Sequence, residues 1–259
     1  MSEDILEGLQ FYWGERSVSY FRQNIEEMNT WKRDAWRELI LRHAPDQSVL
    51  RILDVGTGPG FFAINLALSG HQVTGVDVTK EMLEYAGENA RAYGADVSWV
   101  QYDGERLPFE DGGFDLVVSR NVLWNIEKPL KALQEWSRVL AFGGRILYFD
   151  ANWYLYLFDE EQNARHKAAH ERYHRLYHGM QHDPLGKEKG LFLENLAREL
   201  PLSREKRPRW DENAVKNTGL TLVKILPDVG GRVWETHEQV HYAATPLFMV
   251  CAEKEIPNA

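Results

Sequence analysis

The residues best suited to chemistry lie in RILDVGTGPGFF (51–62), where an apolar run and Asp54 lead into Gly56, Gly58 and Gly60. Glycines at alternate positions permit positive φ and close backbone approach, and a helix starting just beyond them offers unpaired N–H groups. A dinucleotide fingerprint reads G-x-G-x-x-G, but the sixth position from Gly56 is Phe61. A carboxylate beside the turn also suits a positively charged amino group better than a pyrophosphate. Asp77 closes VTGVD, the place from which a carboxylate can accept both hydroxyls of a ribose. Asp103 follows VQY, within reach of an adenine amino group. Plainer roles stand beside these: Asp54 as a turn cap, Asp77 as a helix N-terminal acid, Asp103 as a turn residue paired with Gly104.

These side chains need a scaffold, and the rhythm of the chain supplies one. Strand-like runs LRILDV (50–55), HQVTGVDV (71–78), DVSWVQY (96–102), FDLVVS (114–119) and RILYFD (145–150) alternate with helical stretches near 60–69, 79–93 and 128–140. Such alternation predicts βαβ units and a parallel sheet covered on both faces, with ligands at the C-terminal strand edge. The first 45 residues follow a helical stripe through Leu9, Trp13, Tyr20, Ile25, Met28, Trp36 and Leu39 up to Pro45. After Asp150 come a long His-rich helical stretch, a second helix around LFLENLAREL and a basic PLSREKRPRW segment. A helix in DENAVKNTG and strands LTLVKIL and PLFMVCAEK complete the chain. The expected architecture is α/β: a Rossmann-like, seven-stranded, mostly parallel sheet with helices on both faces. It divides into an N-terminal helical cap (1–46), a cofactor-binding core (47–150), a helical insertion or acceptor lid (151–210) and a C-terminal part (211–259).

At 259 residues the chain can bury a sizeable core without disulfides. The single cysteine, Cys251, lies in an apolar run and reads as a buried strand residue in a reducing compartment. A net charge of −9 argues against nucleic acid as a partner, and no apolar run approaches the roughly 20 residues that span a bilayer. No basic n-region or apolar h-region opens the chain, so the expected place is the cytoplasm. Charge is uneven: residues 161–210 hold 11 Lys or Arg against 7 Asp or Glu, a net of +4 that would steer an acidic acceptor.

Three carboxylates at successive strand ends match a ligand with an amino acid end, a ribose and an adenine, the parts of S-adenosylmethionine (SAM). The motifs DVGTGPG, VTGVDVT followed by EML, YDGERLPF, FDLVVSRNVLWNI and LQEWSRVLAFGGRI, in this order, resemble class I SAM-dependent methyltransferases of the small-molecule type. The resemblance covers residues 48–150 closely and the last helix and two strands more loosely. It implies methyl transfer from SAM to an O or N atom of a small-molecule acceptor, with S-adenosylhomocysteine (SAH) as product. By that resemblance Gly56–Gly60 approach the methionine part, Asp77 holds the ribose, Met82 packs near the adenine, and Asp103 with Gly104 reaches the adenine edge. Thr57, Val78, Glu105 and Arg120 complete the expected contacts. FYWGERSVSYF resembles the cap that covers SAM in many relatives, so that Tyr12, Trp13 and Tyr20 would close the site; core packing is the other reading of these aromatics.

For the acceptor the sequence offers residues after the fourth and fifth strands: Asn121, Trp124, Asn125, Asp150, Asn152, Trp153 and Tyr154. Asn121, Asn152 and Tyr154 are the candidate catalytic residues. Many relatives carry a His pair where this chain has Trp124 and Asn125, which removes an obvious base and keeps a non-catalytic SAM-binding sensor as the alternative function. SRNV stands where an N-P-P-Y-type tetrapeptide would mark a nucleic-acid amino methyltransferase. The aromatic run DANWYLYLFDE, with Tyr156 and Phe158, reads as an acceptor pocket, a cage for an amine, or a hinge packing the insertion on the sheet. His166, His170, His174, His178 and His182 recur every four residues. Each such step rotates about 40° around a helix, so the five cannot share one metal, and a solvated face or pocket wall is expected instead.

Overall fold

The computed structural model describes residues 3–177 and 186–256. His178, Gly179, His182 and Pro184, which entered the helix reading above, lie outside the described residues. The strands are β1 (Arg51–Val55), β2 (Gln72–Asp77), β3 (Val97–Gln101), β4 (Phe114–Arg120), β5 (Leu140–Asp150), β6 (Thr221–Leu226) and β7 (Phe248–Glu253). They form one sheet in the order β3-β2-β1-β4-β5-β7-β6, with β1 to β5 parallel and β7 antiparallel to both neighbours. The helices are α1 (Glu3–Met28), α2 (Trp31–Leu41), α3 (Phe61–Ala67), α4 (Lys80–Tyr93), α5 (Pro129–Val139), α6 (Glu160–Leu176), α7 (Lys187–Glu199), α8 (Arg209–Lys216), α9 (Gly230–Val233) and α10 (Thr236–His241). Among the described residues no helix is long and apolar enough to cross a membrane.

The apolar runs become central strands because neighbouring residues serve opposite faces of the pleat. Ile52, Leu116, Val118, Leu147, Phe149 and Met249 join one core with residues of α2 and α3. Leu53, Val55, Val117, Ile146, Tyr148 and Val250 join the other with residues of α5 and α8. Cys251 is fully buried in the first core, and burial pushes its thiol up to about 11. A third cluster ties α1 to the insertion through Leu9, Tyr12, Trp124, Leu193 and Leu200.

Register decides which side chains meet. Val55 pairs with Val76 on one side and Ser119 on the other, so the turn at Gly56 emerges between Asp77 and Arg120. Arg120 pairs with Phe149, which sets Asn121 beside Asp150. The strand order reverses between β1 and β4, and a sheet of this kind opens a crevice at such a switch point.

Two elements differ from the sequence reading. Strand β5 begins at Leu140 instead of Arg145; its first half contains Gly143 and Gly144 and a register shift opposite Phe114/Leu116, features that weaken a strand signal. The larger difference lies between β6 and β7, where the sequence reading passes directly from strand to strand. Two short helices stand there, α9 and α10. Glu235 and Glu238 form the capping box of α10, with glutamate where Ser or Thr would advertise a helix start. Helix α10 is held to α2 through Lys32, whose Nζ donates to Glu238 at 2.5 Å, and Trp31, whose Nε1 donates to Glu235 at 2.7 Å.

Candidate functional site

The glycine turn is built by conformations that side chains resist. Gly56, Gly58 and Gly60 have φ of 66°, 53° and 91°. A Cβ at Gly56 would fall 2.3 Å from Val122 Cγ2, so β1 and the end of β4 approach one another only with hydrogen at this position. Gly56→Ala should destabilise the fold by roughly 1–3 kcal/mol through overpacking and backbone strain. Chemical denaturation reads this, and a change below about 0.5 kcal/mol would contradict it.

Asp54 is buried under the turn: its Oδ2 accepts from Thr57 Oγ1 at 2.6 Å and from the Ala63 amide at 3.1 Å. Burial pushes its carboxyl up to about 6, against the pull of those two hydrogen bonds. Asp77 ends β2 and accepts from the Gly58 amide and the Thr79 amide, each at 2.9 Å. Its carboxyl too is raised by burial, in part offset by backbone hydrogen bonds.

Around them opens a cavity of about 460 Å³, within the range of small-molecule sites. Asp54, Gly56, Thr57, Gly58, Asp77, Val78, Met82 and Gly104 line one end. Arg120, Asn121, Tyr154 and the cap residues Tyr12, Trp13 and Tyr20 line it as well. The structure does not bring Asp103, Glu105 or Asn152 to its wall. Asp103 is exposed and its Oδ1 accepts from the Glu105 and Arg106 amides at 2.8 and 3.0 Å, the turn-capping alternative named above. Glu105 is exposed and pairs with Lys128 at 3.4 Å. Asn152 exchanges two hydrogen bonds with the Arg207 backbone, at 2.7 and 3.0 Å, and so fastens the insertion.

Trp124, where the resemblance would lead one to expect a histidine, fills part of the wall. Its amide donates to Asp150 and its indole to the Asn121 carbonyl, both at 3.0 Å. Its ring lies 5.1 Å from that of Tyr154. Burial pushes the Tyr154 phenol well above its ordinary range, so it is a hydrogen-bond donor at neutral pH, not a base. Arg120 lies over Phe61 and donates to Glu27 Oε2 at 3.0 Å. Burial raises the Glu27 carboxyl, but Arg120, Gln23 and Lys32 together hold the group below the usual range.

The cavity also contains residues that the sequence reading passed over. Arg16, Gln23, Asn24 and Glu27 extend the Trp13–Tyr20 face of α1, a polar stripe at three- and four-residue steps that was legible as a helix face. Trp234, Glu238 and Tyr242 come from the unforeseen α9–α10 region. Of the histidine series, His166 reaches the wall, stacked on Tyr156 at 4.1 Å, and burial lowers its pKa. His170 and His174 face each other at 2.9 Å on the exposed side. Among the described residues no group of three His, Cys, Asp or Glu is arranged to hold a metal.

The donor set fits a zwitterionic nucleoside. Asn121, in the left-handed region at φ 59°, keeps Oδ1 buried and without a hydrogen-bond partner among the described residues. Such strain gathers at ligand sites, and a free acceptor in the same cavity as Asp54 matches an ammonium group. Residues 53–148 match the family model of a methyltransferase domain. The core is a class I SAM-dependent methyltransferase domain. Its cofactor is SAM.

A malonyl-[acyl-carrier protein] O-methyltransferase of Erwinia pyrifoliae is 39% identical to this chain over 112 residues, 43% of this chain and 41% of that protein. A demethylmenaquinone methyltransferase of Thermus thermophilus is 38% identical over 117 residues, 44% of this chain and 53% of that one. The chain thus spans about half the length of the curated relatives it matches. A SAM-dependent methyltransferase of Aquifex aeolicus superposes with a TM-score of 0.56 at 17% identity, covering 89% of this chain and 96% of that one. At that identity the likeness concerns the fold alone. The flanking cap, insertion and α9–α10 region lie outside the matched methyltransferase residues and build the far end of the cavity.

Proposed function

We propose that the protein transfers the methyl group of SAM to an oxygen or nitrogen atom of a small-molecule acceptor. The observation that carries this reading is one cavity lined by two unlike sets of residues. The glycine turn, Asp54 and Asp77 make up one set, and the rings of Tyr154, Tyr156, His166, Trp234 and Tyr242 the other. When bound, SAM supplies a methyl group already activated on a cationic sulfur. The protein then has to align, exclude water and, where needed, take a proton.

In this reading Asp77 accepts from the ribose hydroxyls, and Gly56 to Gly58 let the methionine chain pass close to the backbone. Asn121 and Asp54 receive the ammonium, Met82 and Gly104 flank the adenine, and Tyr12, Trp13 and Tyr20 exclude water. The aromatic walls suit a flat acceptor, with Tyr154 donating a hydrogen bond to it. His166, neutral at pH 7 because burial lowers its pKa, is the wall group suited to accept the acceptor's proton. The relatives named above act on malonyl-[acyl-carrier protein] and on demethylmenaquinone. A cavity lined by both rings and charged groups is compatible with an acceptor of either kind.

The test is SAH formation from methyl-labelled SAM across a library of phenols, amines and carboxylic acids. Labelled product from any of them supports the reading. Tight SAM binding with no product from the library or from a metabolite extract would favour the non-catalytic sensor.

A pH dependence follows from Asp54. Its carboxyl titrates near 6 in the free protein, and a bound ammonium group beside it lowers that value. Binding therefore releases a proton below pH 6, and affinity for SAH should fall by up to about tenfold per pH unit there. Titrations at pH 5, 6 and 7.5 read this; flat affinity would remove Asp54 from the ammonium site.

A further inference from the structure

Helix α1 turns Trp13, Arg16, Tyr20, Asn24 and Glu27 along the cavity. Polar groups buried on such a face are ordinarily paired, because an unpaired one keeps its full desolvation cost. Glu27 follows that rule, accepting from Arg120 on one oxygen and Gln23 on the other, both at 3.0 Å. Trp13 and Arg16 break it. The Trp13 indole Nε1 and the Arg16 Nε are both buried and have no hydrogen-bond partner among the described residues. Nor does a carboxylate pair with Arg16 among the described residues.

Arg16 is nevertheless fixed in place. Its guanidinium carbon lies 4.8 Å from the centre of the Tyr20 ring, and Tyr20 meets Trp13 edge to face at 5.6 Å. A guanidinium stacked on a ring keeps its N–H edge for an acceptor in its own plane. The other charged groups on the wall are Asp54 and Asp77 at the glycine turn, Arg120, which is paired with Glu27, and Glu238, which is paired with Lys32. Arg16 is thus a cation held ready among groups that would repel an anion elsewhere in the same space.

We infer that Trp13 and Arg16 form a carboxylate receptor inside the cavity, an inference that rests on the reading of that cavity as a SAM site. Two N–H donors, one of them cationic, match the two coplanar oxygens of a carboxylate. That carboxylate belongs either to the methionine end of the cofactor or to the acceptor.

The test is calorimetric titration of the full chain and of its Arg16→Gln and Trp13→Phe variants. The probes are SAH and 5′-methylthioadenosine, which shares the adenosine and sulfur but lacks the amino acid. If the cofactor's carboxylate is held, both variants bind SAH at least about tenfold more weakly and bind methylthioadenosine as the wild type does. If the acceptor's carboxylate is held, both nucleosides bind unchanged, and benzoate binds SAH-saturated wild type but not Arg16→Gln. Either result supports the receptor. Parallel weakening of both nucleosides would overturn it, since Arg16 would then only seat the cap; so would a variant pair in which neither SAH nor benzoate responds. The ligand-free Arg16→Gln protein should lose no more than about 1 kcal/mol of stability, because it gives up the contact with the Tyr20 ring but no hydrogen-bond partner of Nε. None of these readouts needs turnover, so failure here is distinguishable from failure of the methyl-transfer reading.

Discussion

Replacing Arg207 with methionine should destabilise the protein by about 3–5 kcal/mol, the usual consequence of removing one partner from a buried ion pair. Its side chain is fully buried, and it bridges the sheet to the insertion. Nη1 donates to Asp150 Oδ2 at 2.6 Å, while Nε and Nη2 donate to Asp211, with Nη2 at 2.7 Å from Oδ1. Tyr148 adds a hydrogen bond to Asp211 at 2.9 Å. Without the cation, two carboxylates remain in the core. The effect extends to the site, because Asp150 also accepts from the Trp124 amide and the Trp153 indole, both at 3.0 Å.

The pH dependence of that variant carries its own check. Burial already raises the Asp150 carboxyl, with Arg207 the main opposing influence. Removing Arg207 raises it further in the folded state while the unfolded value stays near 4. A carboxyl with a raised folded pKa loses stability as pH climbs from the unfolded toward the folded value. The deficit of Arg207→Met should therefore be larger at pH 8 than at pH 5. In thermal terms the expected fall is roughly 6–20 °C at neutral pH. A fall of only a degree or two, equal at both pH values, would mean that the network is not closed as described.

Asp77→Ala should weaken SAH binding about 100-fold, the loss of roughly 3 kcal/mol expected for hydrogen bonds to a buried carboxylate. Asp77 is 8% exposed and orients the turn through Gly58 as well as facing the cavity. Asp103→Ala is the informative comparison. Asp103 is exposed and already capped by two amides, so its loss should change affinity by no more than about threefold. Titration with SAH, with denaturation curves to confirm that both variants are folded, decides between them. Equal losses would place Asp103 in the adenine site after all, and an unaffected Asp77 variant would end the ribose assignment.

The glycine turn and the two buried acids were legible because a parallel strand leaves little choice. A fully buried apolar run of five or six residues must end, and what stands at its end faces the sheet edge. Asp54 and Asp77 occupy those positions and line the cavity. Asp103 and Asn152 occupy comparable positions in the chain, yet their side chains are taken by local amides and by the Arg207 backbone. Sequence position places a residue at the edge but does not say which neighbour will claim it.

The sequence by itself determined the sheet, the covering of both its faces and the glycine-turn side of the cavity. Those features follow from periodicity and from glycine's freedom at positive φ, which act within a few residues. Only the tertiary structure decided the other end of the cavity. It draws Arg16 and Glu27 from α1, His166 from α6, and Trp234, Glu238 and Tyr242 from the segment between β6 and β7. These residues are far apart in the chain and meet because α10 is anchored to α2, the helix that follows α1, by pairs such as Lys32 with Glu238. Arg207 shows the same limit in reverse: it reads as one more charge in a basic segment, and the fold makes it the buried centre that joins the insertion to β5.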